Sequence, residues 1–258
     1  MPNYRLAASA EMLFTELDFV TRVNEIHKRG FEVEIWNWTT KNLGDLAATG
    51  ATYSSMTGYI EGDLLEADGI ERMLATAAES IEASKIIDCP RLNIHGTGLD
   101  GNGQAIRKHK VVTGAEWLKA RDTLARLADL GAKHDKVFTL ENLNLPVDHP
   151  DTPFALAADT IALVESVDNP HLRLNLDLYH AQIGEGNLIA LVERALPLIG
   201  EIQVADVPGR MEPGTGEINY PNIAKALKRI GYAGVIGLEG WASGDSAVAL
   251  ESFAAAFA

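Results

Sequence analysis

Residues 172–240 read LRLNLDLYHAQIGEGNLIALVERALPLIGEIQVADVPGRMEPGTGEINYPNIAKALKRIGYAGVIGLEG. Three short apolar runs, Leu172–Asp177, Glu201–Ala205 and Val235–Glu239, alternate with helical stretches at 187–198 and 219–230. Runs this short and this rich in Leu, Ile and Val suit buried strands, and the longer polar-faced stretches between them suit helical crossovers. The same alternation extends back to the start of the chain, through runs at Tyr4–Ser9, Phe31–Trp36, Ala51–Met56, Arg91–His95 and Val137–Asn142. Further helices are expected at 16–29, 42–48, 68–87, 113–134, 155–167 and 246–257, several stopped by a glycine such as Gly30, Gly131, Gly200 or Gly231. Eight β/α units in 258 residues predict an α/β fold, a single (β/α)8 TIM barrel spanning 1–258 as one domain. The alternative, a doubly wound open sheet, needs a Gly-rich phosphate turn after the first strand, and none follows Tyr4–Ser9.

Composition narrows the function. With 47% hydrophobic residues and no Pro/Gly/Ser-rich linker, the chain can bury one large core. A formal net charge of −14 argues against nucleic acid and against anionic membrane surfaces. The lone Cys89 excludes an intrachain disulfide and a cysteine-rich zinc site, and neither a signal peptide nor a long apolar span is present, so a cytoplasmic protein is expected.

Barrel geometry turns strand ends into a site, because side chains there face one mouth. Glu141, Asp177, Gln203 and Glu239 stand at the ends of the fifth to eighth strands, which are successive neighbours in a closed barrel. Three carboxylates and an amide oxygen make a hard ligand set suited to a divalent cation, Mg²⁺ or Mn²⁺ before zinc. Without a cation the carboxylates would repel one another.

The words NLDLYHAQIGEGNL and IGEIQVADVPGRMEPGTGEINYPNIAKALKRIGYAGVIGLEG, with SAEMLFTELDF near the start and ENLN at 141–144, resemble the hydroxypyruvate isomerases, a branch of the xylose-isomerase-like TIM barrels. The distal words carry the resemblance, in order and spacing, over about a third of the chain. It implies that Glu141, Asp177, Gln203 and Glu239 hold the metal and that Glu141 and Glu239 are the acid/base pair. Related ketose epimerases place His where Gln203 stands, which favours the isomerase branch.

The chemistry implied is proton transfer between neighbouring carbons of a small hydroxy-carbonyl acid, such as hydroxypyruvate or a four-carbon relative, through an enediolate. Two bases and an electrophile suffice. The residues leave open which glutamate acts first, and a hydride shift is the competing mechanism. An epimerase, a dehydratase or a decarboxylase would use the same start, and a sugar-acid-binding barrel is the non-enzymatic alternative. A nuclease is disfavoured by the net charge.

A small anionic sugar-acid or keto-acid substrate needs polar partners. His180 follows Asp177 by three residues, Arg210 can grip a carboxylate with two parallel bonds, and His95 ends the fourth strand. The segment GTGLDGNGQAIRKHKVVTG, 96–114, carries Arg107, Lys108, His109 and Lys110 in an otherwise acidic chain; it reads either as a lid bringing Lys108 to the substrate or as a solvated surface loop. Trp36, Trp38 and Trp241 are placed to wall the pocket, Phe14 to cap it, and Trp117 to pack. No heptad signals self-association, so a homo-oligomer is left open.

Overall fold

In the computed structural model, which describes residues 4–258, every apolar run becomes a strand: β1 Arg5–Ser9, β2 Glu32–Ile35, β3 Tyr53–Thr57, β4 Arg91–Ile94, β5 Val137–Glu141, β6 Leu172–Asp177, β7 Ile199–Val204 and β8 Val235–Leu238. Between and after them lie α1 Phe19–Lys28, α2 Leu43–Ala48, α3 Ala67–Ile86, α4 Gly114–His134, α5 Ala157–Val167, α6 Leu178–Gly184, α7 Leu188–Ala195, α8 Tyr220–Arg229 and α9 Ser246–Ala256. All neighbouring strands pair in parallel, and β8 closes on β1 through Arg5 opposite Val235 and Ala8 opposite Leu238. The predicted (β/α)8 barrel is the fold.

Local chemistry sets the element ends. Thr113 and Glu116 form a reciprocal capping box that starts α4. In α8, Ile223, Ala224 and Leu227 are buried, whereas Lys225 and Lys228 on the other face are exposed. The third strand starts two residues later than expected, because Gly50 adopts φ +70° and the Thr49 hydroxyl accepts the Ala51 amide at 3.2 Å, which keeps Ala51 in the turn. The helix expected at 187–198 gives way to a 3-10 turn at Leu196–Leu198, where Pro197 removes an amide donor. Helix α6 was not expected; it begins directly after β6, with Asp177 accepting the His180 amide at 2.9 Å.

The apolar core fills the layer between strands and helices, while the barrel interior is polar. Arg91 Nε donates to Glu201 Oε2 at 3.1 Å, Asn175 Nδ2 donates to Gln203 Oε1 at 2.6 Å, and Gln203 Nε2 donates to Glu34 Oε2 at 3.1 Å. Gly237 makes room for this layer, since a Cβ there would lie 1.9 Å from Glu34 Oε1. Period-2 alternation puts these polar residues inside and their apolar neighbours against the helices.

Candidate active site

Glu141 ends β5, Asp177 ends β6, Gln203 lies in β7 and Glu239 follows β8, so all four gather at the C-terminal mouth. A cavity of about 570 Å³ opens there. Glu141, Glu239, His95, His180 and Arg210 line it; Asp177, Gln203 and Lys108 do not.

Glu141 is buried and receives two donors on one oxygen. Asn93 Nδ2 donates to Oε2, and His95 Nε2 lies 3.0 Å from the same atom. Tyr59 settles where the His95 protons lie. Its hydroxyl gives its proton to the Thr97 carbonyl at 2.6 Å, so its oxygen accepts from His95 Nδ1 at 3.1 Å. Burial raises the Glu141 pKa, but His95 and Asn93 outweigh it and leave it below the ordinary value.

Glu239 is held from both sides. Trp36 Nε1 donates to Oε1 at 2.7 Å and Arg210 Nη2 to Oε2 at 2.5 Å. Its pKa is nonetheless raised, burial being the larger influence and Arg210 the main opposing one. The Arg210 guanidinium also lies over the Tyr179 ring, 5.1 Å from its centre.

Asp177 is gripped through its backbone by Asn142, which donates to the Asp177 carbonyl at 2.8 Å and accepts its amide at 3.0 Å. Burial pushes the Asp177 carboxyl well up, with the charges of Glu141 and Glu239 adding to it against Arg210. One ligand-type atom from each of Glu141, Asp177 and His180 lies within 4.8 Å of the others, close enough to share an ion. Buried carboxylates that raise one another's pKa fit a divalent cation, which would keep them ionised.

The hydrogen bonds around His180 decide its part. Asn144 Oδ1 accepts the amides of Val147 at 3.1 Å and Asp148 at 3.0 Å, which fixes the amide orientation. Asn144 Nδ2 therefore donates to His180 Nδ1 at 2.7 Å. Burial holds the imidazole pKa well below its ordinary value, so its one proton sits on Nε2. That atom is buried without a hydrogen-bond partner and lies 3.8 Å from both Glu141 Oε1 and Asp177 Oδ2. In this tautomer His180 offers a donor to the site, and the oxygen ligands are left to the acids.

Gln203 has both ends of its amide engaged by Asn175 and Glu34, with a second lone pair remaining on Oε1. Lys108 is exposed and away from the cavity, because its loop is tied down elsewhere: Arg107 pairs with Asp68, and the His109 amide donates to Asp151 at 2.8 Å. Trp36 and Trp241 line the mouth as expected, and Trp117 packs edge-on against Phe154. Trp38 turns away to donate to Ser80 at 3.0 Å, and Phe14 is buried in the core instead of capping the cavity. Tyr59, Asn93 and His149, all lining the cavity, carry no signal of their own in the sequence; Asn144 could be picked out only as part of the ENLN word.

The fold and this arc of acids define a class: the profile of the xylose isomerase-like TIM barrels matches residues 13–256, and the chain belongs to that family. Within it, the chain is similar to the 2-oxo-tetronate isomerase of Pectobacterium atrosepticum, 28% identical over 93% of this chain and 92% of that protein. It is also similar to the hydroxypyruvate isomerase of Escherichia coli, 27% identical over 91% of this chain and 92% of that protein. Among solved structures, the AP endonuclease, family 2, from Brucella melitensis superposes with a TM-score of 0.84 at 26% identity, covering 99% of both chains. The expected kinship with hydroxypyruvate isomerases is met, and the protein is an enzyme of the isomerase class. Among the described residues no helix is long and apolar enough to cross a membrane.

Proposed function

We propose that this protein interconverts a hydroxy-keto acid and its aldehyde isomer by proton transfer through an enediolate, with Glu141 as first base and Glu239 as the group that returns the proton. The observation that carries it is geometric: two buried carboxyls from separate strands, Glu141 and Glu239, line one cavity at the barrel mouth. Two carboxyls on one cavity can act in turn as base and acid.

Mg²⁺ or Mn²⁺, held by Glu141, Asp177 and Glu239 with the amide oxygen of Gln203, would supply positive charge for the developing oxyanion. The chain's own groups do the rest. Asn93 and His95 occupy Glu141 Oε2, leaving Oε1 without a hydrogen bond for the proton at carbon. His180 Nε2–H donates to a substrate oxygen, Arg210 steadies the negative charge, and Trp36 and Trp241 exclude water from the mouth. A single catalytic domain over 1–258, acting in the cytoplasm, belongs to the same proposal.

Proton NMR of the enzyme with Mg²⁺ and hydroxypyruvate in D₂O tests it. Metal-dependent isomer carrying deuterium is the expected result. Glu141→Gln is expected to abolish exchange at carbon, and Glu239→Gln to retain exchange while losing product. Isomer formed without deuterium would replace proton transfer by a hydride shift, and loss of carbon or water would move the reaction to a decarboxylase or dehydratase.

A further inference from the structure

Three side-chain amides cross the barrel interior in single file between two carboxyls. Asn93 Nδ2 donates to Glu141 Oε2, Asn175 Nδ2 donates to Asn93 Oδ1 at 3.2 Å and to Gln203 Oε1 at 2.6 Å, and Gln203 Nε2 donates to Glu34 Oε2 at 3.1 Å. The file runs one way. A carboxylate can only accept, so Glu141 draws the Asn93 nitrogen and leaves the Asn93 oxygen to accept from Asn175. Asn175 then presents its nitrogen to Gln203 as well, which turns the Gln203 oxygen toward β6 and the Gln203 nitrogen toward Glu34. Glu34 Oε2 accepts in this order whether or not Oε1 carries a proton.

Direction matters at Gln203, because the two ends of an amide have nearly the same shape and only the oxygen can bind a hard cation. Asp177, in register with Gln203, stands on the same strand as Asn175. A half-turn of the Gln203 amide would set its nitrogen against Asn175 Nδ2 and its oxygen against Glu34 Oε2, two donors facing at one end and two acceptors at the other. Both contacts oppose the turn.

Glu34 is seated for this contact. It projects from β2 and is 2% exposed, and among the described residues the bond from Gln203 is the one its carboxyl makes, Oε1 having no partner. Gly237, the register partner of Gln203 in β8, makes its seat, since a Cβ there would lie 1.9 Å from Glu34 Oε1. Glycine inside a strand weakens it and marks the close approach of another group. A carboxyl buried with one donor also costs stability that an apolar side chain of similar size would not. Stability therefore does not account for Glu34, whereas its hold on Gln203 does.

We propose that Glu34 is a positioning residue for metal binding: its carboxyl oxygen holds the Gln203 nitrogen and so keeps the Gln203 oxygen facing the strand of Asp177, for the cation that Glu141, Asp177 and Glu239 share. This inference rests on the reading of Gln203 as a metal ligand and adds to it a residue that touches neither cation nor substrate.

Calorimetric titration of the whole protein with Mn²⁺ tests it, on wild type, Glu34→Gln, Glu34→Leu and Gln203→Leu, after thermal melting without metal has shown that each folds. Glu34→Met serves as a second apolar replacement should Glu34→Leu not fold. Both the amide and the apolar replacements remove the carboxyl charge, so the difference between them is the acceptor oxygen. Glu34→Leu is expected to raise the Kd for Mn²⁺ by about 10–100-fold, as loss of a group that orients a ligand does. Glu34→Gln, which keeps an oxygen for Gln203 Nε2, is expected to stay within about threefold of wild type, far below that loss. A merely structural Glu34 would shift melting and leave Mn²⁺ affinity alone. Glu34→Leu or Glu34→Met binding Mn²⁺ like wild type, while Gln203→Leu binds it at least tenfold more weakly, overturns the proposal and leaves Gln203 a ligand. Glu34→Gln binding as weakly as Glu34→Leu overturns it too, because the charge and not the acceptor would then matter. Gln203→Leu binding Mn²⁺ like wild type refutes the ligand reading itself, and the positioning role falls with it.

Discussion

The proton on His180 Nε2 is placed by Asn144, and replacing that amide with an acid of the same shape tests the placement. In Asn144→Asp a carboxylate oxygen faces His180 Nδ1 where an N–H now lies at 2.7 Å. An imidazole that stays neutral must then protonate Nδ1 and turn a lone pair toward Glu141 Oε1 and Asp177 Oδ2, each 3.8 Å away. The donor that would meet the substrate oxyanion is lost without any change in shape. Loss of one such donor lowers kcat by about 10²–10³, or roughly 2.7–4 kcal/mol. The variant also loses the donor to Asp148 at 2.6 Å, so thermal melting must first show that it folds. Steady-state rates on the best substrate, with His180→Phe for comparison, give the size of the effect, and long-range ¹H–¹⁵N NMR reads the tautomer directly. Asn144→Asp within about threefold of wild type, far below the loss expected of an oxyanion donor, would refute the reasoning, as would a wild-type spectrum with the proton on Nδ1.

The remaining predictions concern the acids. Burial, with the charges of Glu201 and Glu239, raises the Glu34 pKa well above its ordinary value. A raised folded-state pKa contributes stability that is full below the unfolded value, about 4.3, and is lost as pH rises through the folded value. Glu34→Gln should therefore match wild type at low pH and melt progressively higher than wild type as pH rises, as followed by thermal scans. Gly237→Ala sets a methyl 1.9 Å from Glu34 Oε1 and should cost about 1–3 kcal/mol in urea unfolding. Adding Glu34→Ala should recover part of that loss in a double-mutant cycle. Mg²⁺ at a hundred times its Kd should stabilise by about 2.7 kcal/mol, or about 5–10 °C in Tm, and Asp177→Asn should abolish most of the shift.

Particular residues show where legibility stopped. Leu172–Asp177 and Val235–Leu238 could be read as strands because a fully buried strand must be apolar along its length. Glu141, Asp177, Gln203 and Glu239 stood out because each interrupts or ends such a run. His149 and Tyr59 gave no comparable sign, since their partners, Gly103 O and His95, lie 46 and 36 residues away. Lys108 suggested a basic lid by composition, but composition does not record that Arg107 is fixed to Asp68.

The sequence by itself determined the barrel and the arc of acids at its mouth, because hydrophobic periodicity and strand-end position are local properties written into consecutive residues. Only the tertiary structure decided which nitrogen of His180 carries the proton, how Glu141 and Glu239 come to differ, and how far the cavity runs past them. Those properties depend on donors, charges and walls supplied by separate strands and loops, and neither a hydrogen-bond direction nor an enclosed volume exists until the barrel has closed.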